Sequence, residues 1–133
     1  MTATATPVTT AREGLLRFAM RLDAVLVGIT GIPFVAAAGW LSSVTGIPVA
    51  VEYTLGVVFL VYGVVVYWLA GLERVRPGGV ATITANALFT AGFVAAEVAG
   101  IWPLTGWGVA LLLGGALYTA VIGTVQYVGL RRI

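Results

Sequence analysis

Four long apolar runs make up most of this chain, at roughly residues 22–41, 51–72, 80–102 and 107–129. Short stretches rich in Gly, Pro, Ser and Arg separate them. Each run has the length of about 20 residues that a helix needs to cross the hydrocarbon core of a bilayer. The second run is rich in valine, which in water would suggest a strand. Its length without a turn signal decides for a membrane helix. The pattern predicts an all-α, four-helix transmembrane bundle: a single domain over residues 11–133, preceded by a disordered polar tail over residues 1–10.

The third run, VATITANALFTAGFVAAEVAGIW from Val80 to Trp102, carries the most pattern. One column of small residues at i, i+4 spacing is Ala87, Ala91, Ala95 and Ala99. A second is Gly92, Ala96 and Gly100. Small residues at this spacing let helix backbones approach closely inside a membrane. The same helix has a polar stripe of Thr82, Asn86, Thr90 and Glu97. The two features together predict a helix packed on more than one side, with the seven small residues as packing positions.

The first run contains Pro33, which has no N–H and leaves the carbonyl of Ile29 without a helical donor, so a kink is expected there. The kink serves packing or opens a gap that lines a pocket. A basic start, an apolar run and Ala36-Ala37-Ala38 also fit a cleaved signal peptide. The run is long, however, and leads into further spans rather than a soluble domain.

Composition narrows the chemistry. The chain is 60% hydrophobic and 9% charged, with mean hydropathy +1.06, which only the membrane class accommodates. It has no Cys, His or Lys, and its only serines are the adjacent pair Ser42 and Ser43. Thiolate, imidazole and Schiff-base chemistry are therefore absent, and a non-enzymatic protein without a cofactor or metal is expected. No phosphate-binding glycine loop and no nucleic-acid signature are present. The expected partners are the bilayer and another membrane protein or a second copy of the chain.

All seven basic residues are arginines: Arg12, Arg17, Arg21, Arg74, Arg76, Arg131 and Arg132. Four spans put these clusters on one side, which the positive-inside rule makes the cytoplasm, with both termini there and the protein in a bacterial inner membrane. Trp40, Tyr53, Trp102 and Trp107 supply an aromatic belt on the opposite face, and Tyr67, Trp68 and Tyr127 one on the inner face. A weak internal repeat lays Asp23-Ala24-Val25-Leu26 on Asn86-Ala87-Leu88-Phe89, which would place Asp23 and Asn86 at equal depth.

The polar residues inside the spans form two layers. Asp23, Asn86 and Gln126 lie near the arginines and are expected to clamp helix ends together, with Arg17 or Arg76 as the charge partner of Asp23. Glu52 and Glu97 lie near the outer face. Glu97 has no basic residue at its depth, so a neutral carboxyl is expected, either structural or on the path of a cation or proton. Tyr62 and Tyr118 lie nearer mid-membrane, where their hydroxyls need partners.

Arg21-Leu22-Asp23-Ala24-Val25-Leu26, Glu52-Tyr53-Thr54-Leu55-Gly56 and Asn86-Ala87-Leu88 open the first three spans. In this layout the chain resembles the small four-span membrane proteins of actinobacteria and, more distantly, the DoxX-like group. The motifs are short and transfer no site. The leading expectation is an accessory or scaffold subunit of a membrane assembly. The alternative is a small oligomeric carrier or channel with Glu97 on the path. A scaffold should expose a small-residue face unmatched in its own bundle, whereas a carrier should show a polar cavity reaching Glu97.

Overall fold

The computed structural model of the chain describes residues 7–133. It contains five helices: α1 (Pro7–Ala36), α2 (Ala38–Thr45), α3 (Val49–Ala70), α4 (Arg76–Ala99) and α5 (Gly106–Arg131). Four of them, α1 and α3 to α5, are long and apolar enough to cross a membrane. The all-α four-helix bundle expected from the pattern is therefore the fold, and the protein is a membrane protein. Residues 1–6 of the expected tail lie outside the described residues, and residues 7–10 form the first turn of α1.

The short helix α2 is the element that the apolar pattern merged with the first span. Helix α1 runs through Pro33 and stops within a turn of it, and the chain restarts at Ala38. Ala37, between the two helices, has φ −130° and ψ 34°. The bond that Pro33 cannot make is to the Ile29 carbonyl, one turn before the break; at the break itself the Ala37 N–H still reaches the Pro33 carbonyl at 2.8 Å.

Helix α1 packs along most of α3, and α4 along α5; the two pairs join chiefly through α1 and α5, while α3 and α4 meet over few residues. Glycines make the α1–α3 seam. A Cβ on Gly63 would lie 2.7 Å from the Ala24 carbonyl oxygen and 2.9 Å from Gly28 Cα, and one on Gly56 would lie 2.8 Å from the Val35 nitrogen. Backbones this close gain dispersion contacts that lipid cannot match. This seam takes the role expected of the third span.

Helix α4 is instead packed on one side only, which corrects the expectation for its small residues. Ala87, Ala91, Gly92, Ala95, Ala99 and Gly100 are exposed and Ala96 is half-buried. A Cβ on Gly92 would meet nothing within 4 Å. The polar stripe turns inward, with Thr82 and Asn86 buried and Thr90 half-buried. Threonine and asparagine side chains lose their partners in lipid, whereas alanine and glycine lose nothing there, so the stripe decides which face looks inward.

The three arginine clusters share one end of the bundle. Arg17 pairs with Glu13 at 2.8 Å and donates to the carbonyls of Ala70, Leu72 and Glu73 at 2.7, 2.6 and 3.0 Å. These are carbonyls at the end of α3, which no later turn of helix satisfies. Gly129 fits against the Leu16 backbone at the same end. At the other end Gly46, with φ +81°, packs on Pro103, and Thr105 donates its N–H to the Thr45 carbonyl at 3.0 Å. The loop before α3 and the loop before α5 are thereby locked together.

Candidate functional site

Asp23 sits about halfway along α1 and is fully buried. Its Oδ1 accepts from the Tyr118 hydroxyl at 2.6 Å. Its Oδ2 accepts from the Tyr62 hydroxyl at 2.5 Å, Asn86 Nδ2 at 3.0 Å and Gln126 Nε2 at 3.0 Å. Tyr62 comes from α3, Asn86 from α4, and Tyr118 and Gln126 from α5, so one carboxyl joins all four long helices. Asn86 Nδ2 also reaches Gln126 Oε1 at 2.9 Å and the Tyr62 oxygen at 3.1 Å.

The expected inner layer of Asp23, Asn86 and Gln126 is thus one cluster, but its charge partner is not an arginine. Arg17 is taken up by Glu13 and the end of α3. Arg21 reaches the Ala70 carbonyl at 3.4 Å. Two tyrosines stand where a guanidinium was expected. The sequence signal for them was their depth: a phenol in mid-membrane needs a partner, and the deepest carboxylate is the strongest acceptor within reach.

Toward the other end of the bundle from this cluster lies a cavity of about 420 Å³. Phe34, Phe59, Phe89 and Phe93 line it, and Tyr62, Asn86 and Tyr118 lie at its polar end. The rings touch in series. Phe34 meets Phe59 edge-on at 5.5 Å, Phe59 meets Phe89 at 6.2 Å, and Phe89 stacks with Phe93 at 6.0 Å. Phe59 of α3 and Phe89 of α4 meet across the space between their helices. Asn86 Oδ1 is enclosed by its neighbours and makes no hydrogen bond among the described residues.

The outer carboxylates lie apart from this cluster. Glu52 is fully buried, and its Oε1 accepts from the Thr45 hydroxyl at 2.6 Å. The same hydroxyl oxygen accepts from the Ile47 N–H at 3.1 Å, so Glu52 braces the turn into α3. Glu52 Oε2 has no partner among the described residues. Glu97 is half-buried, its Oε2 is likewise unpartnered, and it does not line the cavity. Among the described residues no three His, Cys, Asp or Glu side chains come together as a metal site would require.

No protein-family model, curated protein or solved structure matches the chain. The geometry of the cluster and cavity therefore carries the functional reading.

Proposed function

We propose that this membrane protein is a small, non-enzymatic carrier or receptor that takes up a small solute with an apolar body in the aromatic cavity beside Asp23. The observation that carries the reading is the join of cavity and network. The cavity falls within the usual 300–1,000 Å³ or so of small-molecule sites, and apolar walls with a few converging polar groups are the usual make-up of such a site. Glu97 lies off the cavity and has no part in this proposal. The proposed setting is the bacterial inner membrane, with the arginine-bearing end and both termini in the cytoplasm.

The test is native mass spectrometry of the chain released from its own membrane. The wild type is expected to carry a bound small molecule, and Leu55→Trp, which fills the cavity from α3, to lose it without loss of folding. A wild type that emerges bare, together with unchanged behaviour of the Leu55→Trp protein in every binding assay, would remove the cavity from the function.

A second reading, the accessory or scaffold subunit that was the leading expectation, is favoured by the exposed small-residue face that a scaffold should show, Ala87, Ala91, Ala95, Ala99, Gly92 and Gly100 of α4, and by a cavity that does not reach Glu97 as a carrier's was expected to. These small residues offer a smooth face to another membrane helix. Ala91→Leu would then reduce the size of the complex extracted in mild detergent while leaving the monomer folded. An unchanged complex would count against the seam.

A further inference from the structure

The cavity has a rim, and the rim lies on two helices only. A residue that both lines the cavity and is exposed marks that rim. The exposed lining residues form one pair a helical turn apart on each helix: Leu26 and Thr30 on α1, Ala110 and Gly114 on α5. A Cβ on Gly114 would meet nothing within 4 Å. On the opposite side Phe59 of α3 and Phe89 and Phe93 of α4 stand in the wall, and none of the described lining residues on those two helices is exposed. The cavity therefore opens sideways, between α1 and α5.

This opening is framed at both ends. Toward the arginines, Asp23 of α1 and Tyr118 of α5 are joined by their hydrogen bond. Toward the other end, the Thr45 carbonyl sits where a Cβ on Gly108 would be and accepts the Thr105 N–H. Between the two, Thr30 lies six residues before the end of α1 and Gly114 eight residues after the start of α5, or about 9 and 12 Å along their helices. At that depth the mouth meets acyl chains rather than water, so whatever enters must first dissolve in the bilayer.

The walls narrow the class further. Among the described residues no Asp, Glu or Arg lines the cavity. Its polar hydrogens are spent inside the protein. Tyr62 and Tyr118 donate to Asp23, Thr30 to the Leu26 carbonyl at 2.7 Å and Thr119 to the Gly115 carbonyl at 2.9 Å. Asn86 Nδ2 serves Asp23, Tyr62 and Gln126. A carboxylate or phosphate would find no free donor on the wall, and an ammonium would find no counter-charge there; burying a charge without a partner is costly. We propose that the cavity takes up an uncharged, apolar molecule from the bilayer through the mouth between α1 and α5. The body it holds is a free lipophile or the hydrocarbon chain of a lipid, and filling the space restores dispersion contacts to the walls. This inference rests on the cavity being a binding site, and it assigns the ligand class and the route in.

The test uses the purified full chain in lipid nanodiscs and three photolabels of one skeleton: an uncharged aryl diazirine, its para-carboxylate and its para-aminomethyl ammonium. Peptide mass spectrometry maps the labelled residues. Labelling is expressed relative to Leu88 and Val98, which are exposed and report label dissolved in lipid. The uncharged label is expected to mark Phe34, Phe59 and Phe93 saturably, and the charged pair to mark them at least tenfold less. Gly114→Trp should cut cavity labelling at least fivefold. Val58→Trp, on an exposed part of α3 off the cavity, should leave it unchanged. Should Gly114→Trp fail to fold, Ala110→Trp replaces it. In native mass spectrometry of the wild type, a phospholipid mass identifies the chain of a lipid as the natural occupant and a smaller uncharged molecule a free lipophile. Cavity labelling by a charged label that equals the uncharged one overturns the ligand class while leaving the cavity as a site. Undiminished labelling behind a folded tryptophan variant at the mouth overturns the route. No saturable cavity labelling overturns the whole inference, and with a bare wild type in mass spectrometry it overturns the binding reading as well.

Discussion

The hydroxyl of Tyr118 reaches Oδ1 of Asp23 at 2.6 Å across 95 positions of sequence and is the side-chain partner of that oxygen. Oδ2 takes the other three donors. The two tyrosines are therefore unequal. Tyr118→Phe strips Oδ1 of its side-chain donor inside the membrane and should cost about 1–3 kcal/mol. Tyr62→Phe leaves Oδ2 with Asn86 and Gln126 and should cost less. Thermal unfolding in detergent ranks the pair, and a larger loss for Tyr62→Phe would mean that Oδ1 finds another donor.

Asp23 and Glu97 should behave as opposites. Asp23→Asn places an amide N–H₂ among four donors and leaves at least one of them without an acceptor. A loss of about 1–3 kcal/mol for each donor left without an acceptor is expected. Glu97→Gln, half-buried and off the cavity, should preserve stability and probe binding alike. A Glu97→Gln protein that folds but no longer binds would return Glu97 to the functional path.

The glycines separate packing from pattern. Gly63→Ala pushes a methyl into Ala24 O and Gly28 Cα and should cost about 1–3 kcal/mol, as overpacking does elsewhere. Gly92→Ala meets open space and should be neutral or stabilise by up to about 1 kcal/mol through helix propensity. Melting temperatures of the two variants in one detergent make the comparison. Equal destabilisation would show that α4 is packed by a partner in solution.

Orientation is open to labelling. Ser43 and Gly106 are exposed at the end opposite the arginines, and Arg74 is exposed at the arginine end. In intact cells a membrane-impermeant thiol reagent should modify Ser43→Cys and Gly106→Cys and spare Arg74→Cys. Thr45 is unsuitable as a probe because it is buried against Glu52. Modification of Arg74→Cys alone would invert the proposed topology.

The four spans were legible in the chain alone, because about 20 apolar residues in a row have few other stable states than a membrane helix. Also legible was that Asp23, Asn86 and Gln126 must seek one another, since a polar side chain in lipid has no water to fall back on. Which face of α4 looks inward was not. Lipid and protein interior are about equally apolar, so a column such as Ala87, Ala91, Ala95 and Ala99 reads the same whether it meets a helix or acyl chains. Only packing showed that Thr82, Asn86 and Thr90 turn in and the small residues turn out. The real seam needed just Gly28 and Gly31 on α1 and Gly56 and Gly63 on α3, spaced where two backbones cross, and a crossing point is a property of two helices at once. The cavity was likewise beyond the sequence. Among its walls Phe59 and Phe89 meet edge-on from α3 and α4, a contact between side chains 30 positions apart that no pattern along one chain encodes.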